Sequence, residues 1–380
     1  MKVTFPHMGN LYIPLRALFE NLGLTVIVPP KSSKRTLTLG TRNSPEFACL
    51  PLKVNVGNFI EAFELGADAV VMAGGVGPCR FGYYGEVERE ILEDLGYNFE
   101  MFIIEPPQGR FREVLHELGR LVGRVTASQV IHAVRIAWEK LSSVEALERL
   151  AAKVRARELQ KGSVTKALAQ ALKDIDKAET LGEIRTARLD GLSTISGVPQ
   201  REDYTPLRVG IVGEIYVVLE PFVNLDVERE LGEMGVEVER SIYLGDWIGL
   251  HVIKDMLRFG RGSLKRVKRL ASPYLQHFVG GHGIESVGHS VEYARKGFDG
   301  VVHLAPFTCM PEIVAESILP RVSKDLDIPI MSLIFDEHSA DTGVVTRLEA
   351  FVDLISRRRS RLGNLGKDTG DVSYAGLYRR

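Results

Sequence analysis

The spacing of apolar positions changes period along the chain, and each change marks a different kind of element. In residues 2–28, "KVTF" is a short apolar run, Leu15, Leu18, Phe19 and Leu22 recur at helical spacing, and "VIV" follows. That order predicts strand, helix, strand. A helix is expected from about Val56 to Leu65, ending at Gly66, followed by the buried strand "AVVMA" and a glycine-rich loop. "YNFEMFIIEPP" predicts a further strand stopped by proline. From about Gln108 to Leu192 the period becomes helical throughout. "EVLHELGRLVGR", "SQVIHAVRIAWEKL", "VEALERLAAKVRARELQ" and "VTKALAQALKDIDKAETLGEIRTARLDGL" are rich in Ala, Leu, Glu, Lys and Arg. Their heptads do not persist, so a long coiled coil is not indicated. "GVPQREDYTPL", 197–207, reads as a linker. Alternation then resumes with "RVGIVG", "VERELGEMGVEVERSIYL", "FDGVVHLAP" and "IPIMSLIFDE". "TRLEAFVDLISRRRSRL" is an amphipathic helix with a basic end, and residues from Gly363 onward read as a loose tail.

Strands alternating with helices predict parallel, doubly wound sheets. The expected architecture is α/β: two Rossmann-like lobes with a helical subdomain between them. The lobes span 1–107 and 206–380, and the helical part with its linker spans 108–205. A length of 380 residues suits more than one domain. A formal net charge of -1 argues against a general nucleic-acid or membrane-surface binder. No apolar run approaches a membrane span, and the start "MKVTFPHMGN" has no signal-peptide core, so a cytoplasmic protein is expected.

Three cysteines are too few for a disulfide scaffold. Cys49 and Cys309 share the pattern Cys-x-Pro, which places each near a helix N-terminus, where proline is favoured in the first turn. Cys79, in "GGVGPCRFGYYGEVEREIL", also leads into a helix. An internal echo joins "ELGADAVVMAGGVGPC" to "RKGFDGVVHLAPFTC": a helix ending at Gly, an Asp, a β-branched strand and a cysteine. Both cysteines then lie beyond the C-terminal end of a strand, where open α/β sheets bind ligands. Free N–H groups and the positive end of a helix favour a thiolate there. The plain alternative is three unrelated buried thiols. A zinc site of three cysteines with His7, His282 or His303 is a further one, although no Cys-x-x-Cys pair is present.

Other candidates share the same edge. "GGHGIESVGHS" carries His282, Glu285, Ser286 and His289 among glycines, with Ser286 readable as a helix cap and the rest as proton donors or acceptors. Asp336, Glu337 and His338 follow the strand "IPIMSLI", His7 follows the first strand, and Glu214 follows the strand that opens the second lobe. His7, Glu214, Glu285, His282 and His338 are the candidate catalytic groups. Helix N-termini would equally favour an anionic metal–sulfide cluster; Gly74, Gly75 and Gly77 match no nucleotide fingerprint, and with Ser286 they are candidate contacts to such a cofactor, the glycine backbone N–H groups approaching its sulfides.

At these residues the chain resembles a family. Three lone cysteines, the first two about thirty residues apart and the third over two hundred later, look like those of the cluster-bearing subunits of 2-hydroxyacyl-CoA dehydratases. The blocks "FPHMGN", "GGVGPCRFGYYGEVE", "GGHGIESVGHSVEYARKGFDGVV", "PFTCMPEIVAESILP" and "DEHSADTGVVTRLEAFVDL" resemble the branch related to benzoyl-CoA reductase subunits and double-cubane cluster proteins. The resemblance implies a 4Fe–4S cluster on Cys49, Cys79 and Cys309, either one cubane or a share of a larger cluster with another subunit. It implies an activator ATPase of the sugar-kinase/Hsp70/actin class that carries its own iron–sulfur cluster and delivers an electron at low potential under anaerobic conditions. It also implies reductase or dehydratase chemistry on a small-molecule substrate at an iron without a cysteine, in a homodimer or a heterodimer with a related subunit. The alternatives are a non-catalytic electron relay or cluster carrier, and a zinc or metal-free ligand-binding protein. With two cysteines in the first lobe and one in the second, cluster binding is expected to clamp the lobes together.

Overall fold

The computed structural model describes residues 1–75, 77–105, 119–123, 125–248 and 262–368. The first lobe runs β1 (Lys2–Thr4), α1 (Tyr12–Asn21), β2 (Thr25–Val26), α2 (Lys34–Asn43), α3 (Leu50–Glu64), β3 (Ala69–Ala73), α4 (Tyr84–Asp94) and β4 (Glu100–Ile104). Three longer helices follow: α5 (Ala127–Arg155), α6 (Ser163–Lys177) and α7 (Leu181–Ser196). The second lobe begins with β5 (Leu207–Gly213), the short helices α8 (Ile215–Leu219), α9 (Pro221–Asn224) and α10 (Val227–Glu233), and β6 (Val236–Arg240). It continues through α11 (Leu244–Ile248), α12 (Gly262–Ala271), α13 (Gly283–Arg295), β7 (Gly300–Pro306), α14 (Met310–Asp325), β8 (Ile330–Phe335) and α15 (Asp341–Asp368). Both sheets are four-stranded and all-parallel, ordered β2-β1-β3-β4 and β6-β5-β7-β8. The fold is therefore the expected pair of Rossmann-like α/β lobes. No helix among the described residues is long and apolar enough to cross a membrane.

The two lobes repeat one plan. In each, the first strand lies between the second and third strands. The aspartate of the sequence echo makes the same paired contact in both lobes. Asp68 donates its N–H to the Lys2 carbonyl at 3.0 Å and accepts from the Lys2 N–H. Asp299 donates to the Arg208 carbonyl at 2.8 Å and accepts from the Arg208 N–H at 2.7 Å. The aspartate thus finishes the ladder where the third strand begins beside the first.

Helix α3 joins the lobes. Leu52, Val56, Phe59 and Ile60 pack into the first lobe, while Leu50 and Val54 pack with Val209, Ile211 and Val217 of the second. A helix apolar on all sides must be buried on all sides. Its polar residues as far as Glu61 are buried and partnered as well. Lys53 Nζ reaches Glu337 of the second lobe at 2.6 Å, Asn58 accepts from the His7 N–H, and Asn55 donates to Glu88 at 3.2 Å. Helix α2 has no apolar stripe in sequence, and its presence rests on local contacts. Ser33 and Thr36 form a capping box, and Gly40 and Gly57 allow backbone-close packing on α3. A Cβ on Gly57 would stand 2.0 Å from the Thr36 carbonyl oxygen.

Several boundaries differ from the expectation. Helix α3 starts at Leu50, not Val56, because Cys49 is its N-cap and Pro51 sits in its first turn. The 197–207 linker is held down: Leu159 donates to the Pro199 carbonyl, Arg201 to that of Arg157, and the Tyr204 hydroxyl to that of Gly235. The last helix continues to Asp368, past the expected end at Leu362. Most of the helix expected at 113–124 lies outside the described residues, as does Val76 of the glycine loop.

A candidate three-cysteine site between the lobes

Each cysteine is an N-cap. Cys49 caps α3, Cys309 caps α14, and Cys79 caps a 3-10 turn, Arg80–Tyr83, that runs directly into α4. Cys79 and Cys309 follow β3 and β7, the third strand of each sheet, so both leave the C-terminal edge beside the first strand, where the winding direction reverses. The thiols are close enough for charge on Cys49 to act on both Cys79 and Cys309. Two cysteines from the first lobe thus face one from the second.

Arg80 fastens the three loops. Its guanidinium donates to the Phe47 carbonyl at 3.0 Å, two residues before Cys49. It also donates to the Thr308 carbonyl and, at 3.0 Å, to the Thr308 hydroxyl, one residue before Cys309. The Thr308 hydroxyl donates in turn to the Phe47 carbonyl at 3.2 Å. Thr308 holds φ at +66°, an uncommon conformation for a β-branched residue.

The glycines around His282 close the site from the second lobe. Gly280 has φ +88°, and a Cβ there would stand 2.7 Å from the Cys79 nitrogen. A Cβ on Gly281 would come within 3.8 Å of Cys79 Sγ and 3.2 Å of Pro311. Only glycine permits that approach. The glycines after β3 lie in close contact with their neighbours. The Gly74 N–H is taken by the Ile104 carbonyl at 2.9 Å, Gly75 lies against Phe81, and Gly77 against Phe278.

Burial pushes the Cys49 thiol up to about 11, against the opposing hydrogen bond from the Tyr84 hydroxyl. Burial raises Cys309 far more, with the Glu214 and Glu312 carboxylates adding to it. Burial also raises the half-exposed Cys79. The expectation of thiolates favoured by helix N-termini is therefore reversed in the free chain, because desolvation outweighs the helix ends.

Of the other candidates, Glu214 and His282 are at the site. Glu214 caps α8, accepting from the Tyr216 and Val217 N–H groups at 3.1 and 3.0 Å. Burial raises its pKa, the two N–H groups and His282 oppose, and the carboxylate acts on all three cysteines. Ser286 lies inside α13 rather than capping it, because the helix begins at Gly283 after His282. Its hydroxyl donates to Glu312 at 2.8 Å, and Glu312 also meets His303 Nε2 at 2.9 Å. Both His303 and Glu312 are fully buried, and Ser332 meets His303 Nδ1 at 3.0 Å. This network lies behind Cys309 and holds the first turn of α14.

The remaining candidates have partners or surroundings of their own. His7 is buried and turned to Glu220 at 3.1 Å, with its carbonyl accepting from the Tyr216 hydroxyl, so it ties the lobes. Glu337 is taken by Lys53, and His338 is exposed with its N–H on the Asp336 carboxylate. Glu285 is half-exposed in the first turn of α13. His289 pairs with Glu292 at 3.2 Å. Arg80 and Tyr84 were missed in sequence, although Arg80 adjoins Cys79.

Among the described residues, no three His, Cys, Asp or Glu side chains converge closely enough to ligate one metal ion. The donor set is nonetheless all sulfur, on three separate helix ends, a chemistry that suits an iron–sulfur cluster more than a single ion. Compared with protein-family models and with curated proteins, the chain matches none.

Proposed function

We propose that the chain carries a 4Fe–4S cluster on Cys49, Cys79 and Cys309 and acts in reductive or dehydratase-type chemistry on a small substrate. When bound, the cluster supplies one-electron transfer at low potential and an iron free of cysteine. The observation that carries this reading is that all three cysteines, from three loops and two lobes, cap helices, with Cys79 and Cys309 at the ligand-binding edge of the two sheets and Arg80 tying their loops to that of Cys49. Two buried thiols and a half-exposed one, all with raised pKa values, cost stability as ionised groups, and metal coordination would replace their protons. Glu214, half-buried and with its pKa raised, is in this reading the group that holds and moves a proton beside such a site. The electron donor in this reading is an activator ATPase with its own iron–sulfur cluster. The exposed rings of Phe47, Tyr83 and Phe307, next to the three loops, support the approach of a protein partner.

Anaerobic loading of the chain with ferrous iron and sulfide tests the reading. Retained iron and acid-labile sulfide in equal amounts, with loss of most of the iron in Cys309→Ala, is the expected result. A colourless wild-type chain without iron after desalting rejects it.

A further inference from the structure

The repeat of the two lobes defines four positions at the cleft, and three of them hold cysteines. The loop after the third strand gives Cys79 in the first lobe and Cys309 in the second. The helix that leads into the third strand is α3 in the first lobe and α13 in the second. Their N-caps are Cys49 and His282. Both helices end before a glycine of positive φ, Gly66 and Gly297, and both are followed by the aspartate that bonds the first strand. Helix α3 has 15 residues and α13 has 13, so the equivalence is one of structural role at the N-cap.

We propose that His282 is the fourth protein donor of the three-cysteine site, which rests on the cluster reading above. His282 stands between Gly281, which lies against Cys79 and Pro311, and Gly283, which lies against the Pro311 carbonyl. It is therefore wedged between a cysteine of the first lobe and the first turn of the helix capped by Cys309. Its ring makes no hydrogen bond to any described residue, unlike His7, His289 and His303, which each have a side-chain partner. It is near enough to Glu214 for an imidazolium there to act on that carboxylate. Glu214 is the competing donor, but both of its oxygens are engaged by the N–H groups of α8. A histidine nitrogen is an established ligand for cluster iron, and as a neutral donor it leaves the fourth corner distinct from three anionic sulfurs.

The test is spectroscopic. The full chain is prepared with ordinary and with 15N-labelled histidine, loaded anaerobically with ferrous iron and sulfide, and reduced by one electron with dithionite. Pulsed electron paramagnetic resonance is expected to detect a strongly coupled nitrogen that changes with the label. The coupling is expected to vanish in His282→Ala and in His282→Cys, the latter retaining its iron, and to persist in His289→Ala. A loaded wild-type chain with no coupled histidine nitrogen, or one whose coupling survives in His282→Ala, overturns the proposal while leaving the cluster reading intact. A wild-type chain that retains no iron overturns both. The labelled wild-type spectrum decides the matter even if a variant fails to fold.

Discussion

Arg80 is the residue whose removal should most directly separate the three cysteine loops. Its guanidinium joins the Phe47 carbonyl of the Cys49 loop to the Thr308 carbonyl and hydroxyl of the Cys309 loop, from a position beside Cys79. A hydrogen bond to a charged donor contributes roughly 1.5–3 kcal/mol when shielded. Arg80 is exposed, so solvent screening reduces this to the lower end or below. With two loops held, the loss in Arg80→Met is about 2–3 kcal/mol, or roughly 30- to 150-fold in the population of the closed arrangement. Two assays read it. Hydrogen exchange in peptides covering 46–50 and 306–310 should accelerate in the metal-free chain. Iron release from the loaded chain to a chelator should accelerate by one to two orders of magnitude. Arg80→Lys should fall between, because one ammonium keeps the charge but lacks the planar fork that reaches both loops. Unchanged exchange in both peptides, or iron release within about twofold of wild type, would refute the argument, since the fold-change follows from the lost bonds.

Three other outcomes follow from buried groups. Glu88 is fully buried, and burial raises its pKa from 4.5 to about 8 against the Asn55 hydrogen bond. Between those values folding takes up a proton, so stability falls as pH rises through the window. Glu88→Gln should flatten that slope and be more stable than wild type at pH 9 by roughly 5 kcal/mol at most, read from urea midpoints across pH; parallel curves would contradict it. Glu337→Gln leaves Lys53, 3% exposed, without its counter-charge, and should lower stability by about 3 kcal/mol. A wild-type urea midpoint would remove this pair from the lobe contacts. In the metal-free chain at pH 8, iodoacetamide should label half-exposed Cys79 well before Cys49 and Cys309, read by peptide mass spectrometry; equal labelling would show the buried thiols to be accessible.

The parallel sheets were legible because their strands read as apolar runs separated by helical periods, from "AVVMA" to "GVVHLA". The echo around Cys79 and Cys309 was legible for the same reason: Asp68 and Asp299 occupy one place in one repeated plan. Helix α2 was not legible, since its sequence "KRTLTLGTRN" has no apolar stripe and depends on a capping box and on Gly40 and Gly57. The role of α3 was missed because a helix buried on every face shows no amphipathic period, and its start was set by Cys49 and Pro51 rather than by pattern. Which acidic and histidine residues reach the thiols was only partly legible. Strand-end position nominated His7, Glu214, Glu337 and His338 alike. Side-chain partners decided among them, since Glu220 takes His7 and Lys53 takes Glu337.

The structure also shifts where the cost of loading a metal group lies. With two cysteines on one lobe and one on the other, the lobes were expected to be drawn together by the bound cluster. Contacts that do not involve the cysteines also join them. Helix α3 belongs to both cores, Lys53 pairs with Glu337, His7 with Glu220, and Arg80 bridges to Thr308. Those contacts reduce the ordering entropy that binding has to offset. What remains is ionisation: all three thiols have raised pKa values, each chiefly through burial. Coordination releases those protons, so loading should be favoured progressively as pH rises below the thiol pKa values, with up to three protons released per chain. A site whose lobes share such contacts and whose thiols are held protonated takes its group mainly according to thiol chemistry. Its loading should therefore respond strongly to pH and only weakly to variants such as Glu337→Gln, which loosen the lobes away from the cysteines.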